Sequence, residues 1–194
     1  MRIKYSKVTS APATEPIALQ DAKIHLKVDG SEEDDLITIF IQSAREMVEQ
    51  FTNRSLITQT RTLKLDYFPC NESITLTNGP VSAITSIHYY DEDETSTPLP
   101  SDDYWTDLSS DIPRITIKES WPSTKDMPNA VTIVYVCGYG SASNVPAPLR
   151  SALLLILGHL YENRQQVISG QAMEIPFGAQ ALMSSYVIDQ YVGQ

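Results

Sequence analysis

Residues 31–65 read SEEDDLITIFIQSAREMVEQFTNRSLITQTRTLKL, and the architecture turns on a change of period inside this stretch. Leu36, Ile37, Phe40, Ile41, Ala44, Met47, Val48 and Phe51 recur at i, i+3, i+4 and i+7, which places one wide apolar stripe on an α-helix. Ser31 predicts its N-cap, with Glu32, Glu33, Asp34 and Asp35 in the first turn beside the positive end of the dipole. Asn53 predicts its end, because Asn tolerates the left-handed conformation of a helix stop. From Ile57 to Leu65 the period becomes two and the residues turn Thr-rich and β-branched, which predicts a strand.

Upstream, Pro16 opens a short helix with Leu19, Ala22 and Leu26 on one face, and Val28-Asp29-Gly30 closes it. The first 14 residues carry no period and read as an arm. Downstream, strands are predicted at Ser73–Thr77, Ala83–Tyr90, Tyr104–Asp107, Arg114–Lys118 and Ala130–Cys137. Asn78-Gly79-Pro80, the acidic tip Asp91 to Glu94, Pro98 with Pro100, Asp111 to Pro113, and Pro122 to Pro128 separate them. Six short strands at this spacing predict an antiparallel sheet or small sandwich, not βαβ units.

After the linker Gly138 to Asn144, Pro146 and Pro148 set up a helix from Leu149 to Arg164. It is apolar nearly all round, so it must be buried on more than one side, and one side suits another subunit. Residues 165–178 read as a looser stretch, and a last helix is expected at 179–191. The fold class is therefore α+β: about four helices in 1–56 and 139–194, with an antiparallel β domain inserted at 57–138.

Composition narrows the function. The chain has 194 residues, 42% of them hydrophobic, and a net charge of −10. A chain of this size buries roughly 70% of its unfolded surface without needing staples. Its basic residues are scattered, which argues against binding nucleic acid through a basic face. The basic start Met1 to Lys7 has no apolar stretch behind it, so no signal peptide is expected. The run Leu149 to Leu157 falls short of the roughly 20 residues a bilayer requires. The expectation is a soluble protein made inside the cell, with no membrane partner.

Catalytic signatures are absent: no GxSxG, no HExxH, no Walker lysine, and Gly138-Tyr139-Gly140-Ser141 lacks the third glycine and the lysine of a phosphate loop. The acids at 29–35 do not follow the spacing of a calcium loop and read as helix-capping residues. His25, His88 and His159 lie in three different elements, without ligand spacing, and read as structural. Cys70 and Cys137 read as buried thiols. No catalytic residue, cofactor or metal is expected. Ten tyrosines against four phenylalanines, with Tyr139, Tyr161, Tyr186 and Tyr191 in the linker and C-terminal helices, favour an interaction or structural protein.

Several stretches together resemble the phage head–tail connector (adaptor) proteins of long-tailed bacteriophages. They are Ile17 to Asp29 with the acidic run and Asp34-Asp35-Leu36-Ile37, Ala44 to Arg54, and Leu56 to Thr60. Gly79-Pro80-Val81, Trp121-Pro122, Gly138-Tyr139, Val145 to Arg150 and Gly158 to Arg164 follow in the same order. The family usually has glycine where this chain has Asn53.

The resemblance implies a virion component, made in the host bacterial cytoplasm, with no catalysis and no cofactor. It implies a ring of typically about twelve copies beneath the portal protein. That ring extends the DNA channel and docks a stopper or tail-completion protein. Genomic DNA passes through without specific binding, which suits the acidic balance. In this reading 1–56 and 139–194 form the helical connector domain. Helix 149–164 and the C-terminal segment supply the subunit or portal contacts, with Leu154, Leu157, Tyr161, Arg164, Leu182, Tyr186 and Tyr191 as the candidate residues. Two rivals stand beside it: another neck protein such as a stopper or terminator, against which the helical region 17–52 argues, and a metal-dependent enzyme using the acidic clusters.

Overall fold

The computed structural model describes residues 5–70, 73–164 and 175–188. These residues divide into two compact units, one of 5–13, 58–70 and 73–138, the other of 14–57, 139–164 and 175–188.

The second unit is helical. Among the described residues it holds α1 (Leu19–Leu26), α2 (Asp34–Thr52), α3 (Ala147–Glu162) and α4 (Phe177–Met183). α1 ends on Lys27 at φ 58°, with the backbone N–H groups of Lys27 and Val28 donating to Ile24 and Lys23 carbonyls. α2 ends as its sequence predicts, on Asn53 in the left-handed region. Its start differs from expectation. Glu33, not Ser31, occupies the cap position, and the acids of this turn are fastened by distant side chains, Glu33 by Tyr161 of α3 and Arg164 just beyond it, Asp34 by Lys23 of α1. The last helix is shorter than the expected 179–191. It stops at Met183, a 3-10 turn follows over Ser184–Tyr186, and the chain extends at Val187.

One core serves this unit. Ile37, Ile41, Ala44 and Val48 of α2 meet Leu149, Leu153, Ile156, Leu157 and Leu160 of α3 and Ala179 and Met183 of α4, with Ala22 from α1. Arg45 is buried beside them. Burial alone would lower its pKa, but hydrogen bonding to Glu15 at 2.8 Å and the charges of Glu15, Glu49 and Glu46 raise it, so the guanidinium stays charged. Glu49 in turn accepts the Leu56 N–H at 2.8 Å.

The first unit is β. All six expected strands are present: β2 (Gln59–Leu65), β3 (Ser73–Thr75), β4 (Val81–Tyr90), β6 (Tyr104–Asp107), β7 (Arg114–Ile117) and β8 (Val131–Cys137). Two more complete the sheets. β5 (Ser96–Pro98) returns from the acidic tip, and β1 (Tyr5–Ser10) is the segment expected to be an arm. β1 has too few apolar residues to show a period; it is held as an edge strand by antiparallel pairing with β2, from Tyr5↔Lys64 to Ser10↔Thr60. One sheet runs β1-β2-β8-β4-β5 and the other β3-β7-β6, all antiparallel. β8 is its clearest strand. Val131, Ile133, Tyr135 and Cys137 are buried, and the residues between them are half-buried. Both sheets give side chains to a single core, Leu63, Ile87 and Ile133 from one and Ile74, Ile115 and Ile117 from the other.

Tyr135 lies at the centre of β8 with its ring fully buried, and its hydroxyl donates to the Thr77 carbonyl at 3.0 Å. The same oxygen is 3.1 Å from Ser6 Oγ, and Arg61 Nε donates to that serine, which ties β1 to the sheet interior. Of the two cysteines Cys137 is buried as expected, but Cys70 is exposed, and neither forms a disulfide. The Asp91–Glu94 tip is a self-capped turn in which Asp91 Oδ1 accepts the backbone N–H groups of Asp93 and Thr95.

Two predictions follow from the cores. Leu153→Ala and Leu157→Ala should each lower the unfolding free energy in urea by about 2–5 kcal/mol, since both side chains are about 1% exposed; a loss under about 1 kcal/mol at both would contradict the packing. Tyr135→Phe should cost about 1–2 kcal/mol near neutral pH by orphaning the Thr77 carbonyl. Burial raises the Tyr135 pKa above 10.0, so its phenol stabilises the fold below that pH and the benefit is lost as pH climbs past it. The variant should therefore show a shallower alkaline loss of stability than wild type.

Candidate functional site

Two arrangements in the helical unit bring together residues distant in sequence. The first joins the start of α2 to the end of α3. Arg164 Nη1 lies 2.7 Å from Glu33 Oε1, and the Tyr161 hydroxyl donates to the other oxygen of the same carboxylate. The Arg164 guanidinium also stacks on the Tyr161 ring, 4.1 Å from its centroid, and Arg164 Nε donates to the Tyr161 carbonyl. Hydrogen bonds from Arg164 and then Tyr161 hold the Glu33 carboxyl below its usual pKa, outweighing desolvation. The bond to Glu33 in turn raises the Tyr161 pKa, so the phenol keeps its proton.

The second arrangement fastens the segment after α4 to the end of α2. Arg54 Nε donates to the Tyr186 carbonyl at 2.6 Å, Asn53 Nδ2 to the Ile188 carbonyl at 2.9 Å, and the Ile188 N–H to the Thr52 carbonyl at 2.9 Å. Asn53 thus does what glycine could not. It holds the left-handed backbone at φ 55° and uses its amide on the C-terminal segment.

The candidate residues fall into different environments. Tyr161 and Arg164 belong to the cluster around Glu33. Leu154, Leu182 and Tyr186 are half-buried against the helical core. Leu157 is 1% exposed and packs in the helical core of its own chain. Tyr191 lies outside the described residues. Among the described residues of this unit, the large apolar side chains that face solvent are Ile24, Ile39, Leu155, Phe177 and Val187, none of them singled out by sequence. Leu155 was indistinguishable from its buried neighbours in an all-apolar helix.

Among the described residues no three of the His, Cys, Asp and Glu side chains converge as a metal site, and no helix is long and apolar enough to cross a membrane. His159 Nδ1 is 3.2 Å from Asn163 Nδ2, and His25 borders Gly158 of α3.

Solved structures share this fold. A chain from the neck of an empty gene transfer agent (GTA) particle, computed with C6 symmetry, matches with a TM-score of 0.80 and 23% identity, over 98% of either chain. A chain from the virion of a native GTA particle matches with a TM-score of 0.80 at 22% identity, over 97% of this chain and 98% of that one. A third, from the neck of a native GTA particle computed with C12 symmetry, has a TM-score of 0.72 at 22% identity, again over 97% and 98%. Residues 16–97 match the model of the phage gp6-like head-tail connector protein family. No curated protein sequence is significantly similar to the chain.

The Glu33 cluster yields a pH prediction. A carboxyl whose folded pKa lies below its unfolded value of 4.5 stabilises the fold above that pH, and the stabilisation disappears as pH falls through the folded value. Urea titrations at pH 7 and pH 3 should show a smaller acid loss for Glu33→Gln than for wild type. Identical losses would mean that the cluster carries no linkage.

Proposed function

We propose that the protein is a structural component of a virion neck, a head–tail connector that closes into a ring of about twelve copies between the portal protein and a stopper or tail-completion protein. The observation that carries this reading is the coincidence of two independent likenesses. Residues 16–97 have the sequence of a head-tail connector family, and nearly the whole chain has the fold of chains from particle necks computed with cyclic symmetry. A cyclic ring requires a heterologous contact, one face of each copy meeting a different face of the next.

In this reading the helical unit builds the ring. Leu154, Tyr161, Arg164, Leu182 and Tyr186 sit at or beside the subunit and portal contacts, and Tyr191 belongs to the segment reaching the portal. The net charge of −10 suits a passage for DNA, because an acidic wall exchanges no counterions with phosphates and lets the duplex slide without sticking. Such a role asks for no catalytic residue and no cofactor.

Native mass spectrometry of the purified chain, alone and mixed with the portal protein of the same particle, tests the proposal. A portal-bound ring of about twelve copies is expected, even from a chain that is monomeric alone. Failure to bind the portal, with binding to tail-side proteins instead, would assign the chain to the stopper or terminator class.

A further inference from the structure

The chain after α4 is held differently from the helices before it. Up to Tyr186 the helical unit is assembled by apolar packing, with Ala179 and Met183 buried in its core and Leu182 and Tyr186 against it. Past that point packing gives out. Val187 is 44% exposed, and neither Val187 nor Ile188 belongs to the core. Hydrogen bonds take over: Arg54 Nε to the Tyr186 carbonyl, Asn53 Nδ2 to the Ile188 carbonyl, and the Ile188 N–H to the Thr52 carbonyl, all between 2.6 and 2.9 Å. Three consecutive residues at the end of α2 thus fix the backbone on both sides of Val187.

Neither anchoring side chain is the easiest choice for its own position. Asn53 sits at φ 55°, where glycine would adopt the left-handed backbone without strain. Arg54 is 8% exposed, and burying a guanidinium is unfavourable unless its N–H groups are bonded. Such hydrogen bonds add little net stability, because the unfolded chain makes equivalent bonds with water. What they do fix is orientation, since donor and acceptor must align. The arrangement therefore contributes modestly to the stability of the helical unit and gives the outgoing chain a defined exit.

We infer that Asn53 and Arg54 are positioning residues for docking: by holding Tyr186, Val187 and Ile188 to the end of α2, they pre-set the path on which the C-terminal segment leaves the helical unit toward the portal protein. This rests on the portal contact proposed above and names the residues that prepare it. A segment whose exit is already fixed loses less conformational freedom on association, so the clamp strengthens binding without touching the partner.

The test uses the full chain with its portal protein and compares wild type with Asn53→Gly, Asn53→Asp and Arg54→Gln. Three quantities are read: amide hydrogen exchange at Ile188, melting temperature and portal affinity. Asn53→Gly keeps the left-handed helix stop and removes the amide, so its melting temperature should stay within about 3 °C of wild type. Exchange at Ile188 should nonetheless quicken about fivefold or more, as the loss of one hydrogen bond requires. Portal affinity should weaken by a similar factor. Asn53→Asp keeps the side-chain size but has no donor, and should match Asn53→Gly; Arg54→Gln should change both quantities in the same direction. Unchanged exchange at Ile188 in both Asn53 variants would overturn the clamp. Faster exchange with wild-type portal affinity would leave the bonds purely structural and overturn the positioning role. A wild-type chain that never binds the portal would remove the portal reading, and the positioning role with it, whatever the variants do.

Discussion

Everything in the helical unit is organised by the burial of α3. Its residues Leu149, Ala152, Leu153, Ile156, Leu157 and Leu160 lie on a broad arc that α1, α2 and α4 cover, and each of those helices has its own apolar stripe directed at this one. A helix with apolar side chains nearly all round has no amphipathic solution on its own; only several neighbours can remove it from water. The polar fastenings then act at its margins. Glu33, Tyr161 and Arg164 lock the last turn of α3 to the first turn of α2, and Asn53 and Arg54 hold the chain after α4 against the end of α2. These bonds select a geometry for a core that dispersion and water exclusion already favour.

The β unit obeys a different constraint. Its strands are short, three to ten residues, and no pair of them would be stable alone. Stability comes from two sheets sharing one apolar interior, with β8 as the central strand of the larger sheet and Tyr135 bringing a hydroxyl into that interior where Thr77 and Ser6 satisfy it. Satisfaction matters more than the bond's own strength, since a buried phenol without a partner costs more than the hydrogen bond returns.

Local chemistry and period made much of the fold legible. The stripe from Leu36 to Phe51, the stop at Asn53, and the alternation along Val131 to Cys137 each follow from the geometry of a single element, and all three stand where the sequence places them. β1 was illegible for an equally physical reason: Tyr5 to Ser10 has no apolar rhythm, and its strand character is induced by the hydrogen-bonding edge of β2. The cap of α2 at Glu33, two residues past Ser31, was also illegible, because the carboxylate there is held by Tyr161 and Arg164, partners about 130 positions away.

The sequence alone was sufficient for the α+β class, the elements with strong periodicity and the acidic balance, because these depend on neighbours within a few residues or on composition. Which side of each apolar helix meets the core was decided only by tertiary structure. α3 reads as apolar on every side, so nothing local separates Leu157, sealed in the core, from Leu155, left facing solvent beside Gly178 of α4. That distinction comes from where α4 crosses α3, and the crossing depends on side chains brought together from opposite ends of the chain.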